Sequence, residues 1–179
     1  MSNYIESVRE FHQLFNHPIN THNGTEVDRK TAVLRMNLLF EEIHELSVAL
    51  GVESDFIANC VEKTANSKED VRADSVDRVE IIDALADIQY VLSGAVLALG
   101  FTDSFDTVFD EVHRSNMTKL CSTIDEAQQT KEWYITEKGF SADDVSIKTN
   151  GNKFIVYRVS DNKILKNKFY SSADIKKLI

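Results

Sequence analysis

The stretch Leu34-Arg-Met-Asn-Leu-Leu-Phe-Glu-Glu-Ile-His-Glu-Leu-Ser-Val-Ala-Leu50 reads as a long helix stopped by Gly51. At about 100° per residue, Leu34, Leu38 and Ala49 share an arc of roughly 60°, and Glu41, Glu42 and Glu45 fall inside or beside it. Carboxylates therefore stand where a helix would place its core face. Burying an ionised carboxylate without a partner is strongly unfavourable, so the cluster implies protonation, a basic partner or a bound cation. The cation is the working expectation.

Outward from this helix, which the pattern starts at Thr31, the chain keeps a helical rhythm. Ile5, Val8, Phe11, Leu14 and Phe15 mark an amphipathic first helix over Ser2 to Phe15, ended by Asn16-His17-Pro18, with a loop from Ile19 to Asp28. After Gly51, Phe56, Ile57, Cys60 and Val61 suggest a short helix, and the polar run Lys63 to Asp74 an internal loop or lid. Ser75 is placed to cap a third long helix, Val76 to Leu99, with an apolar stripe at Ile81, Leu85, Ile88 and Leu92 and Gly100 just past its end. Its charge-free end, Ser93 to Leu99, is expected deep in the bundle or at an oligomer interface. Thr102 or Ser104 opens a fourth helix through Phe105, Val108, Phe109 and Val112 towards Leu120. Thr123-Ile-Asp-Glu126 has the form of a capping box for a fifth, running to about Lys138 before Gly139. Beyond it, β-formers cluster at Val145 to Lys148, Phe154 to Val159 and Ile164 to Phe169. They predict a three-stranded β meander followed by a short helix from about Ala173 to Ile179.

One proline and six glycines in 179 residues leave few interruptions, so the fold is expected to be mainly α. The organisation expected is an all-α domain over residues 1–122 and a C-terminal helix with an α+β appendage over 123–179. A net charge of −9 argues against a nucleic-acid polymer as partner, yet leaves room for a phosphate ligand bridged by metal ions. Cys60 and Cys121 have no metal-type spacing and are too few for a disulfide framework, so a reducing cytoplasmic setting is expected. With no charged-then-apolar leader and no uninterrupted apolar run of about eighteen residues, neither a secretory signal nor a membrane span is expected.

The third helix carries a second acidic set, Glu80, Asp83 and Asp87, on an arc of roughly 60°. Two helices packed antiparallel would converge these oxygens with those of Glu41, Glu42 and Glu45, the ligand type that Mg²⁺ or Mn²⁺ requires. Acidic residues on one helix are more often a solvated face; two patches on successive long helices argue for more. Glu41 and His44 have the Glu-x-x-His spacing of di-iron bundles, but such bundles need the motif twice, and no histidine follows Asp87 at that spacing. In Glu111-Val-His-Arg-Ser-Asn-Met-Thr-Lys119, Asn116 and Lys119 share a helical face and suit phosphate oxygens, with His113 and Arg114 as further candidates.

In the order Arg35-Met-Asn-Leu-Leu-Phe-Glu-Glu-Ile-His-Glu-Leu, Asp83-Ala-Leu-Ala-Asp-Ile-Gln-Tyr90 and Glu111 to Lys119, the chain resembles the all-α nucleoside triphosphate pyrophosphohydrolases, the MazG-like and phosphoribosyl-ATP pyrophosphohydrolase-like group. The resemblance spans about residues 5–120 and implies a MazG-like antiparallel helical bundle, assembled as a homodimer or homotetramer. It implies hydrolysis of a nucleoside or deoxynucleoside triphosphate to monophosphate and pyrophosphate with Mg²⁺, or Mn²⁺. It further implies Glu41, Glu42, Glu45 and Asp87 as metal-site carboxylates with Asp83 beside them, Glu41 or Glu42 as general base, and Arg35 among the substrate contacts. Many MazG-like sequences carry Glu-x-x-Asp where this chain has Ala84 to Asp87, a departure that implies either Asp83 or Glu80 as the substitute ligand or one weaker metal site. Phosphoribosyl-ATP as substrate, or a non-catalytic nucleotide sensor, are the alternatives.

For the base, Phe11, His12 and Phe15 on the first helix and Tyr90 beyond Asp87 are candidates, although aromatic residues at this spacing are more often core. The appendage is locally basic through Lys148, Lys153, Arg158, Lys163, Lys166 and Lys168, so covering the phosphates, binding a partner or aiding assembly are open roles.

Overall fold

The computed structural model describes residues 4–19, 29–51, 59–60, 62 and 77–179. In chain order these form α1 (Tyr4–Phe15), α2 (Arg29–Ala49), α3 (Arg78–Ala98), α4 (Phe105–Met117) and α5 (Ile124–Thr136), then an antiparallel hairpin of β1 (Val145–Asn150) and β2 (Lys153–Arg158). The expected loop at 20–28, most of the short helix near Cys60, the polar run Lys63 to Asp74 and the cap Ser75 lie outside the described residues. Two compact units result, Met1–Ile19 with Gln89–Ile179, and Asn20–Ile88.

The helix ends follow from local chemistry. Asp77 Oδ1 accepts from the N–H groups of Val79 (2.9 Å) and Glu80 (3.2 Å), a capping contact at the start of α3. At the other end Gly100, at φ 79°, lets Phe101 N–H reach Val96 O (3.0 Å) and its own N–H reach Leu97 O (3.2 Å), the paired bonds of a Schellman stop. Thr123 accepts from Glu126 N–H at 3.1 Å, as the capping box requires, but the Glu126 carboxylate reaches one residue further back, to Ser122 N–H at 2.6 Å. α4 stops at Met117; tight i to i+3 bonds carry the chain through Thr118, Lys119 and Leu120.

In the first unit α1 packs on α4. The Tyr4 ring meets Phe109 edge-on at 4.5 Å and Phe105 at 6.4 Å, and its hydroxyl binds Asp106. Ile5, expected on the apolar stripe of α1, is instead 71% exposed. The core of this unit lies in the C-terminal half. Val145 and Val156 from the hairpin, Ala127 from α5, Cys121 and Leu165 are buried together, with Tyr134, Phe140, Ile147 and Phe154 packed around them. Each fully buried valine contributes about 1.5–3 kcal/mol.

The predicted meander has two strands, not three. Leu165 N–H still bonds Val156 O (2.9 Å) and Tyr157 bridges Ile164, so the third segment begins as a strand. Asn167 then diverts it. Its buried amide donates to Leu120 O (2.9 Å) and accepts from Phe169 N–H (2.9 Å), while Thr130 Oγ1 takes the Lys168 N–H at 3.1 Å. Backbone groups that a ladder would have used are thereby satisfied by side chains. The short terminal helix is a single 3₁₀ turn, Ile175–Lys177.

α2 and α3 present much apolar surface. Leu34 and Leu38 are 45% and 41% exposed, and Ile81, Leu85, Ile88 and Leu92 are each between 40% and 49% exposed. The arc of α2 expected to form a core is therefore not buried within the described chain. The Ser93 to Leu99 segment is likewise not deep, only Ala95 and Val96 being partly covered. By length and composition alone α3 could cross a membrane, but it holds Asp83 and Asp87 mid-helix, and an aspartate at a bilayer centre costs about 2.5–3.5 kcal/mol on translocon scales.

Candidate active site

The predicted metal-site residues sit on regular helix, exposed: Glu41, Glu42 and Glu45 on the second half of α2, Asp83 and Asp87 on the first half of α3. Glu41 and Glu45, like Asp83 and Asp87, are four apart, and Glu42 and Glu45 three apart, so each helix offers a pair of carboxylates on one face. Among the described residues no three His, Cys, Asp or Glu side chains converge closely enough to hold a metal ion. The donors nonetheless fit a hard divalent cation. Mg²⁺ keeps several waters and binds through one or two carboxylates plus substrate phosphates, the donor type that each of these pairs offers. Arg35, half-buried, lies on the same helix as the glutamates.

The substrate-side candidates form a second group. Phe11 stacks on Phe15 at 4.2 Å and on His17 at 5.6 Å, and Lys119 Nζ lies 5.7 Å from the Phe11 ring centre. His12 Nδ1 donates to Pro18 O at 2.9 Å, and its ring is 5.3 Å from His17. Lys119 N–H bonds Asn116 O at 3.1 Å, which ties Lys119, just past the end of α4, to the helix's last turn. Phe15 is fully buried and serves the core. Tyr90, at 81% exposure, lies open on α3.

Arg114 and His113 have partners within the first unit. The Arg114 guanidinium forks onto Glu111 at 2.7 and 2.8 Å and reaches Ser171 Oγ and Ser172 O, each at 3.1 Å. Glu111 also accepts from Asp174 N–H at 2.9 Å, and Ser115 shares a 2.6 Å bond with Tyr170 OH. One face of α4 thus clamps the C-terminal segment, while His113 Nε2 meets Glu10 at 3.3 Å. Bonding to Arg114 first, then to the Asp174 backbone, holds the Glu111 carboxyl at about 2, below its ordinary 4.5. The clamp is therefore at full strength above pH 4.5 and is lost as pH falls from there through about 2. Resonances of Ser171 to Asp174 are expected to move towards disordered-chain positions over that window, a shift readable by NMR titration.

Sequence reasoning missed Asn150. Its amide donates to Gln13 O (2.6 Å) and Leu14 O (3.1 Å), capping the last turn of α1 from the hairpin turn. An asparagine before a glycine signals a turn; nothing in its neighbours signals a remote helix end.

The described residues make a mainly helical protein whose long helices bear paired carboxylates and which ends in a small α+β appendage. The family model for phosphoribosyl-ATP pyrophosphohydrolase matches residues 8–116, more than half of the chain, and the chain belongs to that family. It is 26% identical to uncharacterized protein L479 of Acanthamoeba polyphaga mimivirus, over 99% of this chain and 96% of that protein. Its fold matches the crystal structure of a "putative NTP pyrophosphohydrolase" from Exiguobacterium sp. 255-15, at 20% identity and a TM-score of 0.61, covering 98% of this chain and 91% of that one. The resemblance read from the three motifs is thus borne out.

Proposed function

We propose that the protein hydrolyses a nucleoside or deoxynucleoside triphosphate between its α and β phosphates, releasing monophosphate and pyrophosphate, with Mg²⁺ or Mn²⁺. The observation that carries this reading is that the family match, residues 8–116, contains every proposed carboxylate: Glu41, Glu42, Glu45, Asp83 and Asp87. When bound, the cation would neutralise charge on the phosphates and on the departing pyrophosphate. This chain's own residues do the rest. In the unit Asn20–Ile88, Glu41 or Glu42 is the candidate to take a proton from the attacking water and Arg35 a further cation; in the other unit, Lys119 and Asn116 suit phosphate oxygens and Phe11, His12 and Tyr90 are offered to the base. Water adds, the α–β anhydride bond breaks, and the proton passes to the carboxylate.

The exposed apolar stripe of α3 supports a second part of the proposal, a homodimer or homotetramer in which another copy covers it. Membrane burial is disfavoured by Asp83 and Asp87, and the setting proposed is cytoplasmic. The family model's own description supports one alternative substrate, phosphoribosyl-ATP, cleaved at the same type of bond.

A panel of triphosphates and phosphoribosyl-ATP with Mg²⁺ or Mn²⁺, products resolved by anion exchange and the assembly's mass by light scattering, tests all of this. Monophosphate plus pyrophosphate from an oligomer is expected. Diphosphate as first product would refute the cleavage site, saturable binding without turnover would make the protein a sensor, and a monomer would refute the assembly.

A further inference from the structure

The hairpin turn of the appendage touches the ends of two helices at once. On one side Asn150 caps α1 through Gln13 O and Leu14 O. Asn150 pairs with Lys153 across the turn, and the next pair in register is Thr149 with Phe154. On the other side Phe154 exchanges both backbone bonds with Cys121, at 2.9 and 3.0 Å, two residues past Lys119. Lys153 Nζ adds a 3.4 Å contact to Ser122 Oγ, and Asn167 holds Leu120 O at 2.9 Å. A paired, hydrogen-bonded turn thus spans from the C-terminal end of α1 to the exit of α4. Phe11 lies one turn back from the first anchor and Lys119 two residues before the second, and these two side chains are the ones in contact at 5.7 Å.

We propose that the hairpin tip is a brace that fixes the end of α1 against the exit of α4 and so seats Lys119 over Phe11, with Asn150 as its positioning residue. Its functional part rests on the reading of Phe11 and Lys119 as substrate contacts. A lysine held at a set distance from an aromatic face is preorganised to meet a nucleotide's phosphate while the base stacks, which lowers the ordering cost of binding. The brace acts on binding, since neither Asn150 nor Phe154 is among the carboxylates proposed for the chemistry.

The test uses the full chain with Asn150→Ala, Asn150→Asp, which keeps the size but has no amide donor, and Phe11→Leu as the zero of contact. The ε-methylene resonances of Lys119, displaced by the Phe11 ring current, are followed by NMR without nucleotide. Both Asn150 variants are expected to move them towards their Phe11→Leu positions. With the best substrate of the panel, KM is expected to rise about three- to tenfold, the loss of roughly one hydrogen bond, with kcat within about twofold. Unmoved Lys119 resonances would overturn the brace whether or not the protein is an enzyme. A moved resonance with unchanged KM would overturn its role in binding. No turnover by the unmodified chain would instead remove the hydrolase reading and leave the Lys119 resonance to decide the brace.

Discussion

Glu42→Gln is expected to lower turnover by about 10²–10⁴-fold, the range for removing a positioned general base, and to weaken metal binding with it. The side chain is exposed on regular helix, so the melting temperature should stay within about 2 °C of the unmodified protein, as for surface substitutions generally. Calorimetry and a pyrophosphate-release assay on the same preparation separate the two effects. A variant with near-normal kcat would take Glu42 out of the chemistry and leave Glu41 as the base.

The largest expected stability effect lies far from these carboxylates. Asn167→Ala removes the acceptor for Phe169 N–H and Thr130 Oγ1 and the donor to Leu120 O. The site is 7% exposed, so water is poorly placed to replace them. Each buried polar group left unsatisfied costs about 1–3 kcal/mol, so a total near 3 kcal/mol is expected. For a chain of this size, at about 2–4 °C per kcal/mol, the melting temperature should fall by about 6–12 °C. A fall under about 2 °C would mean that the segment after Leu165 is held by its apolar contacts instead.

The same residue shows why part of the fold was not legible. Helix existence was readable because a 3.6-residue period and glycine stops are local signals: α1 to α5 all occur where Ile5 to Phe15, Thr31 to Leu50 and their successors placed them. The third strand was not, because what ends it is an amide whose partners, Thr130 and Leu120, lie 37 and 47 residues away. The site divides in the same way. Glu41, Glu42, Glu45, Asp83 and Asp87 were recognisable as paired carboxylates because spacing fixes which residues share a helical face. Spacing does not fix how one helix meets another, and the burial expected around Leu34 and Leu38 is not found in the described chain. Arg114 illustrates a further limit, since a cation near a helix end suits a phosphate and a tail clamp equally well until its partners are known.

The first unit is made from the two ends of the described chain, with α1 held by residues translated much later: Phe109 against Tyr4, and Asn150 on Gln13, 137 positions downstream. During synthesis at about 5–20 residues per second, α1 therefore waits roughly 7–27 s for its cap to be made. α1, made before every other described helix, is thus among the last to be fixed, and its apolar face is left to the ribosome's surroundings in the interval.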